Sequence, residues 1–420
     1  MLTQRSQAVK ATADIRVGPQ RIGKLTPRER FRRAMHYQAV DRLPHMEFGY
    51  WDSLKERWMA EGHLPGDLQR NGDGVIRDDQ VEAFWGCEQR TGVGPAIDAG
   101  PLRPKEVVAE RDGKVVYRDG LGVLCEEVQE GIRSIPHFIE FPIRDRPSWE
   151  CFRDEFLVID AEWRVQDEAQ IEAMARKLRQ SELPVGIHFG SFIGRIRDWI
   201  GFENLAYLSY DDPRLLEEMV AHVTRLKLTY LPPLLDKIEF DYASGWEDIC
   251  FNSGPLLSPK VFREIILPHM KPVMEMLRQH GIDIIYTDCD GNVQALIPLW
   301  LEVGLNCMFP LEVRAGNDVL RCRQEYGRDL LILGGFDKFA LLHSREAVLA
   351  EFRKLEPVMR DGGFIPHVDH RCPDGVDFEM YRYYIWEKCH FIGMSKDEMA
   401  QIQGLAGVKR QTSNVKRQTS

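Results

Sequence analysis

GIDIIYTDCDGNVQALIPLWLEVGLNCMFPLE occupies residues 281–312. Its first part, IDIIYTD, is an apolar run of strand length, bounded by Gly281 and by the turn pair Asp290-Gly291. VQALIPLWLEVG then has a helical period and a glycine stop, and LNCMFPLE is a second short apolar run. Strand, helix and strand in this order predict a parallel pair joined by a crossover helix.

The unit repeats on both sides. PVGIHFG, FDYASGW, LLILGGFD and GFIPHVD read as further strands, separated by amphipathic stretches such as SREAVLAEFRKLEPVMRDG. Near the start, TPRER predicts a helix capped by Thr26, with Pro27 at its first position and Glu29 at its third. HMEFGY follows as a first strand. Seven strands can be counted, and an eighth is expected in the irregular first half. We therefore expect an α/β fold, a (β/α)8 TIM barrel with an N-terminal extension. A doubly wound open sheet is the alternative, but no GxGxxG loop follows any strand.

Residues 1–25 are expected to be a disordered N-terminus, 26–400 the barrel and 401–420 a disordered tail, in which VKRQTS occurs twice. An insertion is expected at about 52–155, where KVVYRD and GVLCEEV alternate apolar and polar residues as a β-hairpin does. The net charge of −10 argues against bulk nucleic-acid binding. No apolar run is long enough to span a membrane, and the first residues lack the apolar centre of a secretory signal. The nine scattered cysteines form no CxxC pair and read as reduced thiols, so a cytoplasmic chain is expected.

Barrel chemistry sits at the C-terminal ends of the strands. Those ends carry Glu47, Tyr50 and Trp51; His188; Trp246, Glu247 and Asp248; Asp288, Cys289 and Asp290; Glu312; Gly334 and Gly335; and His367, Asp369, His370 and Cys372. Carboxylates, imidazoles and a thiol of this kind suit a divalent metal with an open position. A turn cap at Asp288 and a hydrogen-bonded loop histidine at His370 account for the same text equally well. Cys289, flanked by two acids, reads as a packed thiol because nearby negative charge raises its pKa. Glu247 and His188 are candidate proton carriers. Tyr50, Trp51, Trp246, Asp248 and His367 are candidate substrate contacts. Trp51, Trp85 and Trp246 serve equally as core residues.

TPRERFRRAMHYQAVDRLP, WEDICFNSGPLLSPKVFREIILPHMKPV and YTDCDGNVQALIPLWLEVGLNCMFPLEVRAGND resemble segments of the uroporphyrinogen decarboxylase superfamily, as do LILGGFDK and GGFIPHVDHRCPDGV. The resemblance runs from about Thr26 to Ile392 and implies a (β/α)8 barrel. The true decarboxylases hold the substrate's carboxylates with a Met-Arg-Gln-Ala-Gly-Arg motif, which HMEFGYWDSLKERWMAEG lacks. The chain looks more like the corrinoid-dependent methyltransferase branch. There a His-x-Cys-Gly motif and a later Cys bind zinc; the matching positions here are Asp288, Asp290, Gly291 and His370, with Cys372 two residues on. The resemblance implies zinc or another divalent metal on Asp288, Asp290, His370 and Cys372. It implies methyl transfer from a small methylated or methoxylated substrate, with the corrinoid on a separate protein, because this chain has no DxHxxG motif. A homodimer is also compatible. A metal-independent decarboxylase or lyase and a non-catalytic tetrapyrrole binder are the alternatives.

Overall fold

The structure is a computed structural model and describes residues 23–128 and 135–406. The expected termini lie largely outside these residues, and the repeated VKRQTS lies wholly outside them. The chain stays packed through Leu405, which is buried.

Seven parallel strands form the main sheet: β1 Thr91–Val93, β2 Val185–Gly190, β3 Tyr242–Trp246, β4 Ile285–Asp288, β5 Cys307–Phe309, β6 Leu331–Phe336 and β7 Phe364–Val368. They neighbour one another in chain order without reversal. A doubly wound sheet would reverse its strand order at a switch point, so that alternative is excluded. The topology is that of a barrel wall, but the sheet is not closed by a ladder. HMEFGY, expected as the first strand, contributes a single parallel bridge, Tyr50 to Cys372. On its other side Glu88 donates to the carbonyl of His45 at 2.7 Å. This segment thus lies between the two ends of the sheet as an irregular stave. Gly49, with φ +124°, breaks its extended course, which explains why alternation alone misread it. The eighth strand expected in the first half is β1, inside the stretch taken as an insertion.

The rest of that stretch holds a four-stranded antiparallel sheet, Glu106–Arg111, Lys114–Arg118, Leu124–Val128 and His137–Glu140. It contains the expected hairpin, with Lys114–Arg118 pairing Leu124–Val128.

Strand alternation divides the core in two. Ala243, Ile285, Met308, Ile332 and Phe364 face outward and pack on the helices. Their neighbours Tyr242, Ile284, Cys307, Leu331 and Ile365 face inward. This is the period of two that a barrel wall requires. The first helix, Pro27–Met35, begins as expected: the Thr26 hydroxyl accepts from the Glu29 amide. It delivers Phe31 and Met35 to the inner cluster and so seals one end.

A buried ion pair ties the irregular stave to the helix Phe378–Phe391. Lys388 Nζ lies 2.6 Å from Glu47 Oε1, both side chains are fully buried, and the Tyr384 hydroxyl donates to the same oxygen at 2.9 Å. Replacing Lys388 by Met strands an ionised carboxylate in the core. We expect a loss of about 3–5 kcal/mol in stability, read from the urea midpoint. An unchanged midpoint would show that the pair contributes nothing.

Candidate functional site

Four carboxylates and one imidazole converge at the C-terminal ends of β3, β4, β5 and β7. Ligand atoms of Asp290, Glu312 and His370 lie within 4.8 Å of one another, and so do those of Asp248, Asp288 and Asp290. Asp290 is common to both groups.

Local structure holds these groups in place. Asp288 ends β4, and Asp290 stands two residues on. Gly291 has φ +82°, and a Cβ there would meet the Cys250 carbonyl oxygen at 2.4 Å, so only glycine lets the loop come this close. Buried Asn317 ties the loops together by donating to the carbonyls of Gly291 and Glu312, each at 2.8 Å. Gly291 N donates to Glu312 Oε2 at 2.8 Å, and Lys338 Nζ meets Glu312 Oε1 at 3.0 Å. Asp369 is buried and accepts from the amides of Val313 and Lys338, which fixes both loops; burial pushes its pKa up to about 6.

The electrostatics are unbalanced. At 4.8 Å and an effective dielectric of about 20, each ionised pair repels by about 3–4 kcal/mol. Burial, with the charges of Asp248, Asp290 and Glu312, holds Asp288 well above the usual carboxylate range. Burial and the charge of Asp290 push Asp248 up to about 6. Asp248 sits at φ +44°, and its Oδ1 accepts from the Asp290 amide at 3.2 Å. Asp290 Oδ2 meets His370 Nε2 at 3.2 Å, while buried Oδ1 has no hydrogen-bond partner. Phe48 and Trp51 flank the His370 ring, at centroid distances of 5.3 and 5.9 Å.

Of the expected ligands, Asp290 stands beside Asp288 in one group and beside His370 in the other, and Asp248 belongs to the group of Asp288. Glu312 was visible at a strand end but carried no motif; only the Gly291 contact reveals its place. Cys372, expected as a ligand, belongs to neither group. Its thiol is buried, paired in backbone with Tyr50, and burial keeps its pKa well above the usual thiol range. Cys289 is a packed thiol, as its acidic flanks suggested.

Other expected site residues have different surroundings. Tyr50 is a core residue: fully buried, it packs on Trp58 and its hydroxyl meets that of Tyr381 at 3.3 Å. His367 is buried inside the barrel, where burial pushes its pKa down to about 3 and leaves it neutral. Trp246 is half-buried at the rim, with the Arg195 guanidinium 4.8 Å from its ring centroid. His188 is half-buried on β2, 3.4 Å from the Ser244 hydroxyl, and burial lowers its pKa. Gly334 serves close backbone packing: a Cβ there would meet the Pro310 carbonyl oxygen at 2.1 Å.

The comparisons with known proteins fit this architecture. A family model described as uroporphyrinogen decarboxylase (URO-D) matches residues 171–386, just over half of the chain, including every member of the acid cluster. The chain belongs to the uroporphyrinogen decarboxylase family. Among solved structures it is similar to a methyltransferase from Methanosarcina mazei. That match has a TM-score of 0.56 at 13% identity and covers 88% of this chain and 99% of the other; it shows a shared fold. No curated protein matches.

Glu247, expected as a proton carrier, has its carboxylate fully engaged. It accepts from the Ser191 hydroxyl and from the amides of Phe192, Ile193 and Gly194, at 2.9 to 3.0 Å. It caps the entry to the helix Gly194–Ile200 from inside the protein. Replacing Glu247 by Ala should therefore lower stability by roughly 2–4 kcal/mol, since three amides and a hydroxyl lose their acceptor. Denaturant unfolding reads this. Lost turnover at unchanged stability would instead restore the catalytic role.

Proposed function

We propose that this protein is a methyltransferase that binds a divalent metal at Asp248, Asp288, Asp290, Glu312 and His370. The unanswered charge at this centre carries the reading. Neither oxygen of Asp288 accepts a hydrogen bond or meets a cation among the described residues, and Asp290 Oδ1 is buried without a partner. Among the described residues only Glu312 has a lysine, and only Asp290 has the His370 ring. A cation removes the repulsion of all four acids at once. Four carboxylates and one imidazole make an oxygen-rich set, suited to a harder ion than a thiolate zinc site holds; zinc itself accepts such ligands.

A divalent ion bound there supplies Lewis-acid polarisation of the oxygen or nitrogen that carries the transferable methyl group. The chain's own residues arrange the rest. Lys338 holds Glu312 at 3.0 Å, and Asp369 holds Lys338 by its backbone. Phe48 and Trp51 hold the His370 ring between them by ring contacts. His188, half-buried on the wall of the same barrel, is kept in its neutral form by burial. The methyl acceptor is a corrinoid on a partner protein, and the donor is a small methylated or methoxylated molecule.

The alternative within the family, decarboxylation of a porphyrinogen, is disfavoured by the same charge. A mouth lined by four carboxylates opposes a substrate bearing eight. The two readings separate in one experiment. Purified protein should carry a stoichiometric divalent metal, and it should convert cob(I)alamin to methylcobalamin when given methoxylated aromatics or methylamines. The double variant D290A/H370A should lose the metal and reduce that conversion by orders of magnitude. Turnover that survives chelation unchanged ends the metal role, and carbon dioxide release without methylcobalamin favours the decarboxylase.

A further inference from the structure

Inside the barrel one cation stands without an anion. Arg90 directly precedes β1, and its Nη1 donates to the Tyr286 hydroxyl at 3.4 Å, its one hydrogen bond among the described residues. It forms no ion pair among them. Protein surrounds the guanidinium, yet part of its surface stays accessible and none of its nitrogens is a sealed orphan. It therefore stands partly accessible against the inner face of the strands. Its contact with Tyr286, which stacks on Tyr242, places it at the level of the inner aromatic cluster. His367 is neutral and brings no competing cation. Glu82 also senses Arg90, but its carboxylate accepts from Gln89 at 3.0 Å and lies beyond ion-pair distance.

An arginine cannot shed its charge to relieve burial, and an unpaired buried guanidinium is destabilising. Its planar fork complements a carboxylate in two parallel hydrogen bonds. The surrounding walls are aromatic. Tyr242 stacks on Tyr286 at 5.7 Å, Tyr286 meets Phe309 at 5.7 Å, and Phe48 meets Phe309 edge-on at 4.7 Å. Tyr286 and Asp288 project from the same face of β4, two residues and about 7 Å apart along the strand. A flat six-membered ring with substituents at opposite ends spans such a gap.

We propose that Arg90 binds the carboxylate of a small aromatic acid, whose ring lies against Phe48, Tyr286 and Phe309 and whose other end faces Asp288 and Asp290. The statement about the far end rests on the methyl-transfer reading above; the carboxylate site does not. Arg90 thus selects monoanionic aromatic acids over neutral analogues, and the acids at the mouth reject a second anionic group.

The test is a calorimetric titration of full-length, chelator-treated protein with 4-methoxybenzoate and with 4-methoxybenzamide. The benzoate should bind at least about tenfold more tightly. Arg90→Gln should erase that preference by weakening the benzoate alone. Arg90→Lys keeps the charge, loses the fork and should give an intermediate affinity. Thermal unfolding of each variant checks that it folds; if Arg90→Gln does not, the Lys variant carries the comparison. Equal affinity for the two ligands, no binding of either, or benzoate binding that survives both substitutions overturns the proposal. Because no metal and no methyl acceptor is present, a failure of methyl transfer leaves this result standing, and the reverse also holds.

Discussion

Mutual repulsion among Asp248, Asp288, Asp290 and Glu312 is the constraint on which the working end of this molecule is built. Their ligand atoms crowd within 4.8 Å in two overlapping groups. A chain folds into such an arrangement only if neighbouring structure opposes the repulsion. Here the opposition is rigid. Asn317 clamps the loops after β4 and β5, Asp369 clamps those after β5 and β6, and Gly291 lets the β4 loop press on the Cys250 backbone. Lys338 supplies the one ammonium paired with the cluster among the described residues, through Glu312. The remaining repulsion shows in the raised pKa values of Asp288 and Asp248.

The same charges arrange the interior into zones. Acids line the mouth, neutral His367 and aromatic rings fill the middle, and Arg90 supplies an isolated positive charge there. Phe31 and Met35 close the other end. The acids and the guanidinium thus lie at different levels of the same wall of strands.

Much of the apparatus around the site is structural. Glu247 caps a helix from within, Tyr50 packs in the core, and Cys372 lies buried beside it. Each stands at a strand end, where barrels keep their chemistry. Position along the strand therefore narrows the candidates but does not separate a ligand from a cap. The separation comes from what each side chain touches: Glu247 has four donors, and Asp288 has none among the described residues.

Periodicity carries the architecture because burial acts locally: a wall residue must alternate inward and outward, and a crossover helix must show one apolar stripe. On that ground the text alone determined six of the seven sheet strands, β2 to β7, the capped first helix and the hairpin beyond β1. The short β1 and the irregular stave at Gly49 escaped it, since three residues or a left-handed kink leave no period to read. Of the site, Asp288, Asp290 and His370 were legible from motif positions. The place of Glu312, the isolation of Arg90 and the occupied state of Glu247 were settled only by tertiary structure. Pairing and repulsion depend on distance in space, and residues 90 and 286, or 291 and 312, become neighbours only after the wall of strands has formed.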